Sequence, residues 1–171
     1  MNEIVSCYQI DDEENIPFDP QTYSRFKHGC GIAAEEYGRS LSGKVWADVA
    51  FEPGQEVVVL PSPYQHIWTA SGYMTRAFLE HLNGLLVAAG SPPAADARVY
   101  RTTTYREDYS AMSKDDRLRL IERDKLYTDA EFLRGKHCIF IDDIRVTGTH
   151  ELVVSRMIER LGVEARLTFA Y

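Results

Sequence analysis

Asp142 and Asp143 are the residues of this chain best placed to do chemistry. These adjacent carboxylates follow a short apolar run, His137-Cys138-Ile139-Phe140-Ile141, that reads as a buried parallel strand. After Ile144 comes a loop of small and hydroxyl-bearing residues, Arg145-Val146-Thr147-Gly148-Thr149-His150-Glu151. It opens an amphipathic helical pattern from Leu152 to Leu161, closed by Gly162. Adjacent carboxylates can hold a hard cation, because such ions take oxygen ligands. Free amides at a helix start, at the positive end of the helix dipole, favour phosphate. In open α/β sheets ligands sit at the carboxyl ends of the strands, where both features fall. The stretch therefore suits a phosphorylated ligand.

The elements that must position it can be read along the chain. Glu56-Val57-Val58-Val59-Leu60 is a continuous apolar run and reads as the first central strand. Pro61-Ser62-Pro63-Tyr64 opens a second strand-to-helix loop that runs to Gly72. Thr69 and Ser71 stand at its end, where their hydroxyls either meet a ligand or cap the helix. The helix is predicted over 73–89, with Met74, Ala77, Phe78, Leu82 and Leu85 on one stripe. Residues 31–41 also read helical, and 44–51 alternate as an edge strand would. Residues 98–104 have strand propensity. They run into Tyr105 to Met112, whose composition suits a mobile active-site cover or an ordinary exposed loop. A capping box at Ser113 to Asp116 precedes a further helical pattern. The final residues, 165–171, alternate as a strand; the chain stops inside it, which leaves open whether a further element follows. Strands near 57, 98, 138 and 166 alternate with helices near 73 and 150. That order predicts βαβ units, and so an α/β fold with a mostly parallel sheet flanked by helices.

Composition bounds the partners. The 171 residues suit one domain with a sizeable core. A net charge of −7 argues against nucleic acid or an anionic membrane as partner. No apolar run approaches the ~20 residues that span a bilayer, and no signal peptide is visible. Cys7, Cys30 and Cys138 show neither metal-ligand spacing nor a disulfide framework, which points to a reduced, cytoplasmic setting. Residues 1–22, acidic at 11–14 and broken by Pro17 and Pro20, read as a solvated leader. Tyr23 to Gly31 then crowds Arg25, Lys27, His28 and two glycines ahead of a helix. That segment is either an anion-contacting loop or turn punctuation.

Competing motifs narrow the acidic stretch. An aspartyl phosphatase usually spaces its acids two apart, whereas these are adjacent. A Walker A loop needs a lysine that this loop lacks, and a dinucleotide loop needs three glycines where only Gly148 is present. The remaining pattern, Asp-Asp-apolar-x-x-Thr-Gly-Thr after an apolar strand, resembles the phosphoribosyl-pyrophosphate (PRPP) motif of type I phosphoribosyltransferases. Val57 to Gly72 is similar to that family's first strand, pyrophosphate loop and helix, and Arg101 to Met112 lies where it carries its catalytic loop. Phe26-Lys27-His28-Gly29 resembles the hood element of orotate phosphoribosyltransferases. The variant Asp-Asp-Ile-x-x-Thr-Gly-Thr-His-Glu resembles more closely the phosphoribosyltransferase-like domains of bacterial tellurite and stress-resistance gene clusters.

The resemblance implies a Rossmann-like core at 45–171 and, over 1–44, a leader and small hood-like segment. It implies that Asp142 and Asp143 receive the ribose hydroxyls directly or through Mg²⁺. Arg145, Val146, Thr147, Gly148, Thr149 and His150 would wrap the 5′-phosphate, and Ser62, Pro63 and Tyr64 would lie at the pyrophosphate. Lys27, Arg101 and Arg106 would neutralise the leaving pyrophosphate. Val146 stands where hypoxanthine-type members keep an acid, so no purine mechanism through that carboxylate is expected. The first loop also lacks the family's usual glycine pair. The implied activity is Mg²⁺-dependent transfer of phosphoribosyl from PRPP to a nitrogenous acceptor base, in a chain that can form a homodimer as family members often do. A non-catalytic sensor of PRPP or a nucleotide, and an interaction module on a degenerate fold, are the alternatives.

Overall fold

The computed structural model describes residues 2–12, 14–64, 68–101 and 126–171. The apolar runs form the centre of a five-stranded, all-parallel sheet. Its strands are β1 Glu3–Val5, β2 Val57–Pro61, β3 Ala95–Asp96, β6 His137–Ile141 and β7 Arg166–Ala170. A separate antiparallel pair joins β4, Tyr100–Arg101, to β5, Leu126–Tyr127. The helices are α1 Pro20–Lys27, α2 Gly31–Asp48, α3 Ala70–Ala88, α4 Ala130–Leu133 and α5 Thr149–Arg160. The main sheet runs β1-β7-β6-β2-β3 in space. This is the α/β architecture, a mostly parallel sheet flanked by helices, that the strand–helix alternation predicts.

Each central strand buries both faces, as a parallel sheet requires. Val57, Val59, Ile139 and Ile141 face α2 and α3, while Val58, Leu60, Cys138 and Phe140 face α5. Pairing runs in register from Val57 with His137 to Pro61 with Ile141, and from His137 with Arg166 to Ile141 with Ala170. The three strands therefore end level, and their exit loops leave from one edge. Strand order reverses between β2 and β6, and the helices that follow them lie on opposite faces. A crevice opens between diverging loops at such a point, at the carboxyl ends of the strands.

Helices α2 and α3 approach closely at Gly38. A methyl there would meet the Met74 carbonyl oxygen at 2.5 Å and the Phe78 amide nitrogen at 2.9 Å, both backbone atoms with no room to give. Gly43, on the same helix, has nothing within 4 Å of a Cβ.

Several expectations are corrected. The alternation at 44–51 is not an edge strand, because α2 continues to Asp48 and Val49 is its C-cap. Leu41 and Val45, both buried, lie one turn apart on the helix, and the buried C-cap Val49 follows them. The first residues are not only a solvated leader: β1 pairs in parallel with β7, Glu3 opposite Thr168 and Val5 opposite Ala170. Asp11, Asp12 and Glu14 are exposed. The third strand near 98 is divided. Ala95–Asp96 pairs with β2, whereas Tyr100–Arg101 pairs away from the main sheet. Arg106, the proposed catalytic loop beyond residue 101 and the capping-box helix lie outside the described residues. No described helix is long and apolar enough to cross a membrane.

At the opposite edge of the sheet, His137 is fully buried. Its Nε2 lies 2.8 Å from Thr168 Oγ1, its Nδ1 has no partner, and Glu3 accepts from both Thr168 and Arg166. Burial, helped by the Arg166 charge and only partly opposed by Glu3, pulls its pKa down to about 4.

Two predictions follow from this packing. Gly38→Ala should destabilise by roughly 1–3 kcal/mol in urea unfolding despite the helix propensity it gains. Gly43→Ala should stabilise by about 0.5–1 kcal/mol in the same assay, and equal effects at the two sites would contradict the close approach. His137 is held neutral below its ordinary range. The stability this contributes is complete above the unfolded value of 6.5 and is lost as pH falls toward 4. The loss should reach roughly 3 kcal/mol at about 1.4 kcal/mol per pH unit. Subtracting the stability profile of His137→Val from that of the native chain should isolate this slope.

Candidate functional site

The site begins where β6 runs out. The sheet ladder carries on for one residue, since the Asp142 amide donates to Ala170 O at 3.1 Å. This seats the Asp142 side chain at the lip of the core, 13% exposed. Its Oδ1 accepts the Asp143 amide at 2.9 Å, and its Oδ2 lies 2.6 Å from His150 Nδ1. Burial pushes this carboxyl up. The His150 hydrogen bond and charge, with Ser62 and the Asp143 amide, outweigh that and hold it below the usual range.

Asp143 is equally shielded, with a side chain 12% exposed. It accepts the Tyr23 hydroxyl at 3.2 Å and pairs with Lys27 Nζ, both from α1. Its carboxyl is pushed up by burial and by the neighbouring Asp142 charge, against which Lys27 acts. Tyr23 and Lys27 reach one carboxylate because residues four apart share a helix face. Asp19 fixes that helix by capping the amides of Gln21 and Thr22, with Pro20 in the first turn.

The loop beyond is shaped by Gly148, whose φ of +69° places it in the left-handed region at the start of α5. No side chain caps this helix. The helical ladder starts with Leu152 N bonded to Gly148 O at 3.2 Å, so the first-turn amides have no partner within the helix. Thr147 Oγ1 and Thr149 Oγ1 lie 2.5 Å apart beside it. Arg145 folds back on Glu151, Nε to Oε1 at 2.5 Å, and the Tyr171 hydroxyl donates to the same oxygen at 2.9 Å. Val146 is 74% exposed at the loop's tip.

The loop after β2 lies alongside. Ser62 N donates to Ile141 O at 3.0 Å and its hydroxyl donates to the same oxygen at 3.4 Å, which ties it to the end of β6 beside Asp142. Pro63 follows. Tyr64 bridges Tyr100 in parallel, and the Arg98 guanidinium stands 5.3 Å over its ring. At Thr69, where capping was one reading, no side chain caps α3; its hydroxyl meets that of Ser71 at 2.7 Å.

The fold thus gathers Lys27, Ser62, Asp142, Asp143 and His150 into one hydrogen-bonded patch, with residues 145–149 continuing from it. Tyr64 is directed toward Arg98, and Arg101 takes part through the backbone of β4. Sequence reasoning missed Tyr23 and Glu151. The spacing of Tyr23 from Lys27 carried that signal, as did the acidic residue in the first turn of α5.

A cleft of about 790 Å³ adjoins the patch. Residues of the N-terminal segment, of α1 and α2, and Asp143 to Val146 line it. Tyr8, Phe18, Tyr23 and Tyr37 are among the lining residues, their rings 5.3–6.4 Å apart in series.

Similar solved structures include two hypoxanthine phosphoribosyltransferases. A hypoxanthine phosphoribosyltransferase from Staphylococcus aureus is 11% identical over 81% of this chain and 62% of that one, with a TM-score of 0.47. The hypoxanthine phosphoribosyl transferase of Trypanosoma cruzi is 13% identical over 94% and 68%, with a TM-score of 0.44. The chain therefore spans less than two thirds of the Staphylococcus protein's length. No curated protein sequence matches it significantly. The family model described as PRTase (phosphoribosyltransferase) ComF-like matches residues 1–171, and the chain belongs to that family.

Proposed function

We propose that the Asp142–Thr149 stretch binds the ribose 5-phosphate half of PRPP, and that the protein transfers it to a nitrogenous acceptor. The observation that carries this reading is the pairing of two shielded carboxylates with an uncapped helix start five residues on, in a member of a phosphoribosyltransferase-like family. Asp142 and Asp143 would accept hydrogen bonds from the ribose 2′- and 3′-hydroxyls. The first-turn amides of α5, with Thr147 and Thr149, would hold the 5′-phosphate. The acceptor nitrogen then forms a bond to ribose C1 as the C1–oxygen bond to pyrophosphate breaks, and pyrophosphate leaves with the electron pair. The protein's part is positioning and electrostatic stabilisation.

Mg²⁺ fits the donor set. Asp142 and Asp143 offer hard oxygens, and among the described residues no group of three or more His, Cys, Asp and Glu forms a cage. A carboxylate pair of this kind suits an ion that keeps water and substrate oxygens as its other ligands. When bound, the ion supplies charge neutralisation at the diphosphate. Lys27 sits on Asp143 rather than on a pyrophosphate loop. Its half-exposed chain allows it to exchange that carboxylate for the anionic donor as the ribose arrives.

Titration with PRPP, with and without Mg²⁺, tests the reading. Saturable, Mg²⁺-enhanced binding is expected, and Asp142→Asn with Asp143→Asn should weaken it by at least about tenfold, the loss of roughly 1.4 kcal/mol. Binding indifferent to that double change would sink the proposal. Pyrophosphate release across a panel of bases then identifies a transferase, whereas binding with no release across the panel identifies the non-catalytic sensor. Gly148→Ala should independently weaken ribose 5-phosphate binding. A side chain at positive φ costs about 1–2 kcal/mol, and its Cβ would lie 3.2 Å from Arg145 Nη2. Unchanged affinity in calorimetry would separate this loop from the phosphate.

A further inference from the structure

Asp142 is held at both of its oxygens by the protein itself. Oδ1 accepts the Asp143 amide at 2.9 Å, a backbone contact that comes with the turn of the chain. Oδ2 lies 2.6 Å from Nδ1 of His150, a side chain eight residues on, with Ser62 alongside. An ionised carboxylate only accepts hydrogen bonds, so Nδ1 must carry the hydrogen. The resemblance of the loop to a PRPP motif puts His150 against the phosphate; the structure joins its Nδ1 to the acid instead.

The place of His150 in the chain gives this bond its effect. It is the second residue of α5, in the turn whose amides no side chain caps. Asp142 stands at the end of β6, where its own amide donates to Ala170 O at 3.1 Å. The bond therefore spans the loop from strand end to helix start. It sets the position of the Asp142 carboxylate relative to the first-turn amides of α5. The neighbouring side chains do not make this connection. Thr147 and Thr149 meet each other, and Arg145 pairs with Glu151 on α5 itself. Among the described residues, His150 is the one side chain of the 145–151 segment bonded to the acidic pair. A carboxylate turns over a broad range about its last torsion. An arriving sugar would have to order an unheld Asp142, and that ordering weakens binding.

We propose that His150 is a positioning residue that fixes Asp142 against the start of α5, so that a phosphate and the hydroxyls of its attached sugar are received together. His150 thereby selects a pentose 5-phosphate over phosphate by itself. The proposal rests on the reading of the Asp142–Thr149 stretch as the sugar-phosphate site. His150 acts through Asp142 and is not a phosphate contact.

Calorimetry of the full chain with ribose 5-phosphate and with inorganic phosphate reads the two halves of the site separately. His150→Ala should weaken ribose 5-phosphate roughly tenfold and inorganic phosphate by less than about twofold, since loss of a partner behind a ligand group costs on the order of 10–100-fold. His150→Asn should restore most of the lost affinity, because its amide nitrogen is bonded to Cγ as Nδ1 is. His150→Gln, whose amide lies one carbon further out, should not. A merely structural role for His150 would not separate these two variants. Equal weakening of both ligands by His150→Ala would make His150 a phosphate contact and overturn the proposal, as would Asn performing no better than Gln. Failure of the native chain to bind ribose 5-phosphate sinks the loop reading instead. Nitrogen NMR of the His150 ring in the ligand-free chain then tests the bond by itself. Hydrogen on Nδ1 is expected, and a ring carrying it on Nε2 only would remove the bond and the proposal with it.

Discussion

Two adjacent carboxylates stand at the end of a strand whose five residues are all buried, and much of the surrounding structure answers to that placement. Taking charge out of water costs several kcal/mol per ion unless partners replace the lost solvent. Each carboxylate has recruited its own. Asp142 is served by His150, Ser62 and the next amide; Asp143 is served by Lys27 and Tyr23. These partners come from α5, from the loop after β2 and from α1. The acidic pair thereby joins pieces of chain more than a hundred residues apart.

The asymmetry between the two acids has a physical basis. Asp142 takes its partners from the sheet end and the following helix, elements fixed by the core. Asp143 depends on α1, whose Lys27 side chain is 43% exposed. Tyr23 extends the same dependence into the cleft, because its ring is part of the aromatic wall and its hydroxyl is part of the acidic patch.

The sheet explains why these groups meet. The ends of β2 and β6 lie level, and their helices depart to opposite faces. Ser62 and Asp142 are brought side by side by that register rather than by any local preference of either loop. Gly38 lets α2 approach α3 closely, so that Tyr37, its neighbour on α2, stands over the cleft with Tyr23.

Much of this was legible in the sequence. The apolar runs at 57–60 and 138–141 marked the central strands, because burial on both faces leaves no polar alternation to mislead. The acidic pair, the Gly148 turn and the helix after it were marked by residue type and order alone. Other features depended on contacts distant in sequence. The three residues of β1 are too few to carry a period, and their place beside β7 exists only once the sheet is built. The end of α2, with Val45 and its C-cap Val49 both buried, imitated strand alternation, and only its packing in the core with α3 marks it as helix. Lys27 had a charge that suited an anion, and the carboxylate it pairs with lies 116 residues away. By itself the sequence determined the strands, the loop chemistry and the family's motif, all of which are local patterns. The tertiary structure decided which side chains shield each carboxylate and which rings wall the cleft, since both depend on distances between elements that no local pattern encodes.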